Sequence, residues 1–393
     1  MFRANPYRPG AGLMPTYLAG REKDIEGIEY MFECLNNNIP IQSVVYSGLR
    51  GVGKTVLMNK FYSMASEQGI FCEYVEIDGK KDFTTIIADT AQEFLQRVGI
   101  KEKGQPLFKK ALDALRSLVV SFDPKDSTFS LSMQDKEFYV ARNYDRTLTQ
   151  VFTSVGEIAF KLSSPICFII DEIQYMKKDE LGALIAALHR VNQLGYPIAV
   201  IGAGLPKIIK MLSDAKSYSE RLFSYVTIGG LDNKEAERAI VEPLKKVGAE
   251  YTNSAVNEII KITKGYPFFI QQLCKLVYDD VNGNMIDDSD VKRNKEKFLQ
   301  TLDDGFFKSR YERCSDAEKV FVFSMVKCSK LPCPISSISK AYGKSGKAIS
   351  PIRAKLIDKG IIYPTKYGEL DFTVPEFSGF INRLGEYQEW NKK

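Results

Sequence analysis

The sequence has one histidine, one tryptophan, no apolar run near the roughly 20 residues that a membrane span needs, and no repeat at a period of about 20 to 50 residues. With one histidine, and with Cys328 and Cys333 the only close cysteine pair, no second pair of ligands completes a zinc site. Seven cysteines, at 34, 72, 167, 274, 314, 328 and 333, are odd in number and scattered, and only Cys328 and Cys333 stand close together. That pattern predicts reduced, mostly buried thiols rather than a disulfide framework. The opening Met1-Phe2-Arg3-Ala4-Asn5-Pro6 is no secretory hydrophobic region, so the expected location is cytoplasmic, with no membrane partner. Strong charge of one sign is also missing: the net formal charge is only +5. That is too little by itself to indicate a nucleic-acid partner.

What is present is an ordinary globular composition, 44% hydrophobic and 26% charged, in 393 residues. This length implies roughly two to three domains. Short β-branched or apolar runs at 41–47, 70–77, 165–170 and 197–201 alternate with helical spacings at 21–35, 54–66, 83–98, 106–120 and 143–161. Strands apolar through their length and separated by helices argue for an α/β parallel sheet covered on both faces. An edge strand or hairpin is expected at 127–133. From Leu231 only helices are expected, at 233–247, 254–264, 267–281 and 289–312. From Ser315 the order is three helices and then two short strands around Lys366-Tyr367-Gly368, the outline of a winged helix. The division expected is 1–230, 231–313 and 314–393.

The first chemical signal is Gly48-Leu49-Arg50-Gly51-Val52-Gly53-Lys54-Thr55, placed between a predicted strand and a predicted helix. Gly48, Gly51 and Gly53 let backbone N–H groups approach a phosphate chain, Lys54 reaches its terminal phosphates, and the Thr55 hydroxyl can ligate Mg²⁺. The bland alternative is a glycine turn with a surface lysine. A second signal is Ile166-Cys167-Phe168-Ile169-Ile170-Asp171-Glu172. Ending a buried strand, it offers Asp171 as the metal-side carboxylate and Glu172 as the base that orients an attacking water. Standing alone, two such acids would be the solvated start of a loop. The stretch Asn233-Lys234-Glu235-Ala236 lacks the aspartate of a guanine-reading N-K-x-D, so the expected nucleotide is ATP. His189, on the helix after Glu172, reads as a packed structural residue rather than a catalytic one.

Taken in order, Asn5-Pro6-Tyr7-Arg8-Pro9-Gly10-Ala11-Gly12, Leu18-Ala19-Gly20-Arg21-Glu22, the two nucleotide motifs, Gly202-Ala203-Gly204-Leu205-Pro206, Ser217 to Phe223 and Gly265-Tyr266-Pro267 have a further meaning. Together with the winged-helix outline, the sequence resembles the prokaryotic AAA+/STAND-type P-loop ATPases related to origin-recognition initiators. The resemblance implies that Gly20 and Arg21 lie beside the adenine, that Tyr266 and Pro267 close over the nucleotide, and that Arg221 is an arginine finger toward a neighbouring subunit. Two departures stand out. Gly202 to Gly204 carry no polar side chain where such ATPases place a sensor, and Gly265-Tyr266-Pro267 carries no arginine, with Lys264 and Lys275 as poor substitutes. Slow hydrolysis and a nucleotide-held state are therefore expected, with self-association.

The excess charge has one address. Between Ser315 and Asp371 there are ten basic and five acidic residues, a surplus equal to that of the whole chain. A helix opening at Ser350-Pro351 would present Lys347, Arg353, Lys355 and Lys359, with Lys366 at the turn, to the phosphates or bases of DNA. The rival reading is a signal-transducing or defence ATPase whose winged helix docks a partner effector protein. A metabolic kinase is disfavoured, since no substrate-binding constellation is visible beyond the nucleotide site.

Overall fold

In a computed structural model of the chain, the residues described are 4–78, 83–98, 106, 109–111, 113, 144–328 and 330–387. The helix expected over 106–120 lies largely, and the strand at 127–133 entirely, outside them. By internal packing the chain divides into two units, Arg21–Ser47 with Lys54–Thr227, and Met1–Gly20 with Gly48–Gly53 and Ile228–Lys393.

The first unit is built on five parallel strands, β1 (Ser43–Ser47), β2 (Phe71–Glu76), β3 (Ile166–Asp171), β4 (Ile198–Gly204) and β5 (Phe223–Thr227), in the order β2-β3-β4-β1-β5. Every residue of β3 and β4 is buried, as continuous apolar runs require between two helical layers, whereas β2 and β5 at the edges are only partly buried. Helices α1 (Glu22–Asn36), α2 (Lys54–Glu67), α3 (Phe83–Val98), α4 (Tyr144–Lys161), α5 (Lys178–Gln193), α6 (Lys207–Ala215) and the one-turn α7 (Ser219–Leu222) surround it. Side chains alternate across the sheet. Tyr46 meets Phe61 of α2 at a ring-centroid distance of 5.4 Å, while Phe168 stacks on Phe152 of α4 at 5.5 Å. Strand β5 escaped the sequence reading because only one edge of it is covered and its apolar pattern is broken by Ser224 and Thr227.

In the second unit the expected helices appear as α8 (Asn233–Lys245), α9 (Asn253–Thr263), α10 (Pro267–Asp280) and α11 (Asp288–Leu302). Asp232, Thr252 and Asp287 cap three of them by accepting backbone N–H bonds. The region is not purely helical, since β6 (Glu250–Tyr251) and β7 (Met285–Ile286) pair in parallel between the helices. The lead-in packs here: Tyr7 donates its hydroxyl proton to the Ile240 carbonyl oxygen at 2.5 Å, and Asn5 bonds Lys275 O at 3.0 Å and Asp279 at 2.7 Å. Beyond the π-turn at Asp303–Phe307 and α12 (Lys308–Glu312) come α13 (Asp316–Val326), β8 (Cys333–Pro334), α14 (Ile335–Tyr342), α15 (Gly346–Asp358), β9 (Ile362–Lys366), β10 (Glu369–Phe372) and α16 (Phe377–Tyr387). The three strands form an antiparallel sheet in the order β8-β10-β9. Phe307 links the two regions of this unit, with ring contacts to Phe269 at 6.4 Å, Phe377 at 5.7 Å and Phe380 at 5.5 Å.

Two local expectations are corrected. Helix α15 starts at Gly346, capped by Ser345 accepting from Ala348 N, so Pro351 sits inside the helix rather than at its first position. The serine at 345 offers an earlier cap, and the five residues 346–350 separate it from the proline, which therefore lies past the unbonded N–H groups of the first turn. Cys328 and Cys333 are joined by a disulfide, with Cα atoms 6.2 Å apart, while the other five cysteines are free thiols. Among the described residues, no helix is long and apolar enough to cross a membrane, and no cluster of three potential metal ligands from His, Cys, Asp and Glu occurs.

Candidate functional site

Strand β1 ends at Ser47, and the chain turns through Gly48 to Gly53 before α2 begins at Lys54. Gly51 and Gly53 have φ of +84° and +96°, a region that side-chain-bearing residues seldom adopt. Successive turn residues of this kind aim backbone N–H groups into a concavity that suits anions. Tyr266 borders the loop: its hydroxyl donates to the Arg50 carbonyl oxygen, and a Cβ on Gly51 would come within 3.0 Å of its ring. The Phe268 N–H reaches Gly51 O at 3.4 Å. Burial pushes the Tyr266 phenol well above its ordinary pKa, so it stays a neutral donor. Pro267 occupies the first turn of α10, where its missing N–H costs nothing. Gly20 lies against Leu231 and Glu235 of the same unit.

Lys54 and Thr55 open α2, placing the lysine and the hydroxyl at the positive end of a 14-residue helix. Lys54 is 6% exposed. The Thr55 hydroxyl donates to Asp171 Oδ2 at 2.7 Å, so a residue of the glycine motif and the acid ending β3 are brought together. Asp171, also buried, accepts from Tyr74 at 3.1 Å and from the Glu172 N–H at 2.8 Å. Burial first, and Asp171 second, raise the Tyr74 pKa, which keeps its proton in place. A threonine hydroxyl beside a carboxylate is the oxygen donor set that a hard divalent cation prefers, and the glycine turn accommodates a polyphosphate. The residues present therefore fit both groups.

Glu172 follows in the left-handed region, at φ 54° and ψ 33°. A 3₁₀ turn over Ile173–Tyr175 then folds Gln174 back, and its buried Nε2 donates to Glu172 Oε2. The other end of that amide accepts from Leu205 N at 3.0 Å. Neither Tyr74 nor Gln174 was singled out from sequence. The usable signal for Gln174 was its spacing, two residues after the acid pair, beside a β4 terminus of small residues.

The remaining expected residues fall in varied settings. Arg21 is buried; burial lowers its pKa, against the opposing pull of Asp24 and Glu22. Arg221 is exposed on α7, its carbonyl oxygen accepting from Gln42 at 2.8 Å. His189 packs on the Tyr218 ring at 4.7 Å, in keeping with the structural reading. Lys264 and Lys275 pair with Glu376 at 2.5 Å and Asp279 at 2.6 Å. Lys347 and Lys355 on α15 and Lys366 at the β9–β10 turn are exposed, and Arg353 is half-buried. Lys366 also reaches Glu369 at 3.2 Å. Lys359 is held elsewhere, at 2.6 Å from Glu318 and 2.8 Å from Arg313 O.

A strand–glycine loop–helix leading to Thr55, with Asp171 at the end of β3, one strand removed from β1 in a β2-β3-β4-β1-β5 sheet, defines a P-loop nucleotide-binding fold of the AAA+ type. Residues 17–201 match the family model of the AAA ATPase domain. Residues 304–381 match a family described only as a domain of unknown function. No curated protein matches the chain in sequence. Among solved structures, the chain is similar to a Walker-type ATPase of Pyrococcus abyssi, at 14% identity and a TM-score of 0.54, over 93% of this chain and 96% of that one. It is more loosely similar to the Orc1 protein of Aeropyrum pernix in complex with DNA, at 13% identity and a TM-score of 0.45, covering 95% and 94%. The RuvB Holliday junction branch migration motor of Thermotoga maritima gives 15% and 0.43, covering 95% and 99%. At 14% identity the likeness to the Pyrococcus abyssi ATPase is one of fold.

Proposed function

We propose that the protein is an ATP-binding, slowly hydrolysing switch ATPase that binds DNA through a C-terminal winged helix and changes its assembly with nucleotide state. The observation that carries the nucleotide half is the 2.7 Å bond between Thr55 and Asp171 at the end of the glycine loop. The loop N–H groups and Lys54 bind the phosphate chain. Thr55 and Asp171 would hold Mg²⁺, which would neutralise charge on the β and γ phosphates. Glu172 orients a water and takes its proton as the water oxygen bonds to the γ phosphorus and the bond to the ADP oxygen breaks. Tyr266, bonded to Arg50 O, supports a lid that senses the loop.

The order helix, short strand, helix, helix, strand, strand over Asp316–Phe372 supports the winged-helix reading. Lys340, Lys344, Lys347, Lys355 and Lys366 are exposed, on α14, α15, the connection between them and the β9–β10 turn. Exposed basic side chains of this kind favour a phosphate backbone. The deciding experiment is a salt titration of duplex DNA affinity with ATP and with ADP. Steep loss of affinity with salt, differing between nucleotides, is expected. Absence of DNA binding at physiological salt, with a co-purifying protein instead, would overturn this reading in favour of an effector-docking ATPase.

A further inference from the structure

Resting on the reading of Glu172 as the base, we infer that Gln174 is a positioning residue that takes the place of the missing polar sensor at the end of β4 and sets Glu172 in register with that strand. A primary amide can donate and accept at once. Here Nε2 donates to Glu172 Oε2 while Oε1 accepts from Leu205 N at 3.0 Å, so one side chain joins the base to the residue that follows β4. Gln174 is 3% exposed, and its geometry does not compete with solvent.

Gly202-Ala203-Gly204 acquires a physical reason from this arrangement. A Cβ at residue 204 would fall 2.6 Å from Gln174 Oε1 and 3.1 Å from Ile173 Cγ2. Glycine at 204 makes room for an amide delivered from residue 174, so the polar group near the end of β4 comes from the neighbouring strand's turn. The left-handed backbone at Glu172 and the 3₁₀ turn after it bring the amide back. Beyond Leu205, the chain runs through α6 to α7, which carries Arg221. A shift of that segment therefore acts on Glu172 through Gln174.

A purely structural glutamine that only satisfies the Leu205 N–H makes a different prediction. Gln174→Glu keeps the shape and the acceptor for Leu205, but replaces the donor to Glu172 by a second carboxyl. Without that donor the contact that holds Glu172 Oε2 is lost, and like charges push the two carboxylates apart. The full-length chain is to be assayed for ATP affinity, KM and kcat in Gln174→Glu, Gln174→Ala, Gly204→Ala and the Gln174→Ala/Gly204→Ala double variant. Positioning predicts a fall in kcat of roughly tenfold to a hundredfold in each single variant, with KM and nucleotide affinity nearly unchanged. It also predicts that the double variant is no slower than the slower single, since the alanine at 204 acts by displacing an amide that is already gone. Wild-type kcat in Gln174→Glu, or losses that multiply in the double variant, would overturn the inference. Should Gln174→Ala fail to fold, Gln174→Glu decides alone. Glu172→Gln separates the two levels: normal turnover there defeats the base assignment itself, whereas loss there with no effect of Gln174→Glu defeats only the role of Gln174.

Discussion

Thr55 and Asp171, 116 residues apart in sequence, meet at 2.7 Å between Oγ1 and Oδ2. The contact joins the start of α2 to the end of β3, and it exists because parallel strands on a twisted sheet all end at the same edge. Lys54 shares that helix start and is nearly buried. Replacing it with alanine is expected to weaken ATP binding roughly a hundredfold or more while leaving thermal unfolding of the nucleotide-free protein nearly unchanged. Calorimetric titration with ATP checks it, and retained affinity would remove Lys54 from the phosphate site.

Glu172→Gln keeps the side-chain shape but cannot take a proton. Turnover is expected to fall roughly 10²- to 10⁴-fold, with ATP affinity within about threefold of wild type. Single-turnover phosphate release together with a nucleotide-binding assay measures both. Normal release would transfer the role of base to another group.

Arg221 is exposed on a one-turn helix, and the proposed arginine finger would act on a neighbouring subunit. Arg221→Ala is expected to lower turnover by at least tenfold without weakening ATP binding. Mixing it with Glu172→Gln supplies mixed assemblies in which one intact base can meet one intact arginine. Recovered activity in the mixture, absent from either variant alone, indicates action in trans. Recovery to no more than the sum of the two would exclude it.

Much of this was legible in the sequence because it is written locally. The glycine loop, the all-apolar β3 and β4, and the acids at 171 and 172 are short patterns whose chemistry fixes their setting. Gln174 was not legible, since its meaning depends on a 3₁₀ turn and on the N–H of Leu205, just past the end of β4. Strand β5 was missed because an edge strand buries too little to keep a continuous apolar run. The start of α15 was misplaced by two competing serine caps, at 345 and 350, with Pro351 lending weight to the wrong one.

Lys359 illustrates a basic residue whose structural partner only the fold reveals. Burial alone would raise the Glu318 carboxyl, but Lys359 and the Ser315 N–H overcome it and hold the pKa below the ordinary glutamate value. A depressed carboxylate contributes stability that is complete above the unfolded pKa, about 4.3, and is lost as pH falls through the folded value. Lys359→Ala should therefore cost roughly 1 to 3 kcal/mol at pH 7, toward the lower end because the lysine is 38% exposed. Below about pH 4 the difference from wild type should shrink, as Glu318 becomes protonated in both. Urea unfolding at the two pH values measures this; a pH-independent difference would show that the pair contributes by packing alone.

The same pairing sharpens the nucleic-acid prediction, because it separates residues that the charge pattern alone groups together. Lys347 and Lys355 are exposed on α15, whereas Lys359 on the same stretch is already bonded to Glu318 and Arg313 O. A lysine at a phosphate contributes counterion release, and each lost contact lowers the slope of log affinity against log salt by about 0.9 on duplex DNA. Lys347→Ala and Lys355→Ala are each expected to weaken binding at low salt and to reduce the slope by about that amount. Lys359→Ala, assayed below its unfolding range, should leave the slope unchanged, since its charge is neutralised within the fold. Anisotropy titrations of one labelled duplex at several salt concentrations distinguish the three. If Lys359→Ala flattens the slope while the other two do not, the DNA-facing surface is not the exposed face of α15.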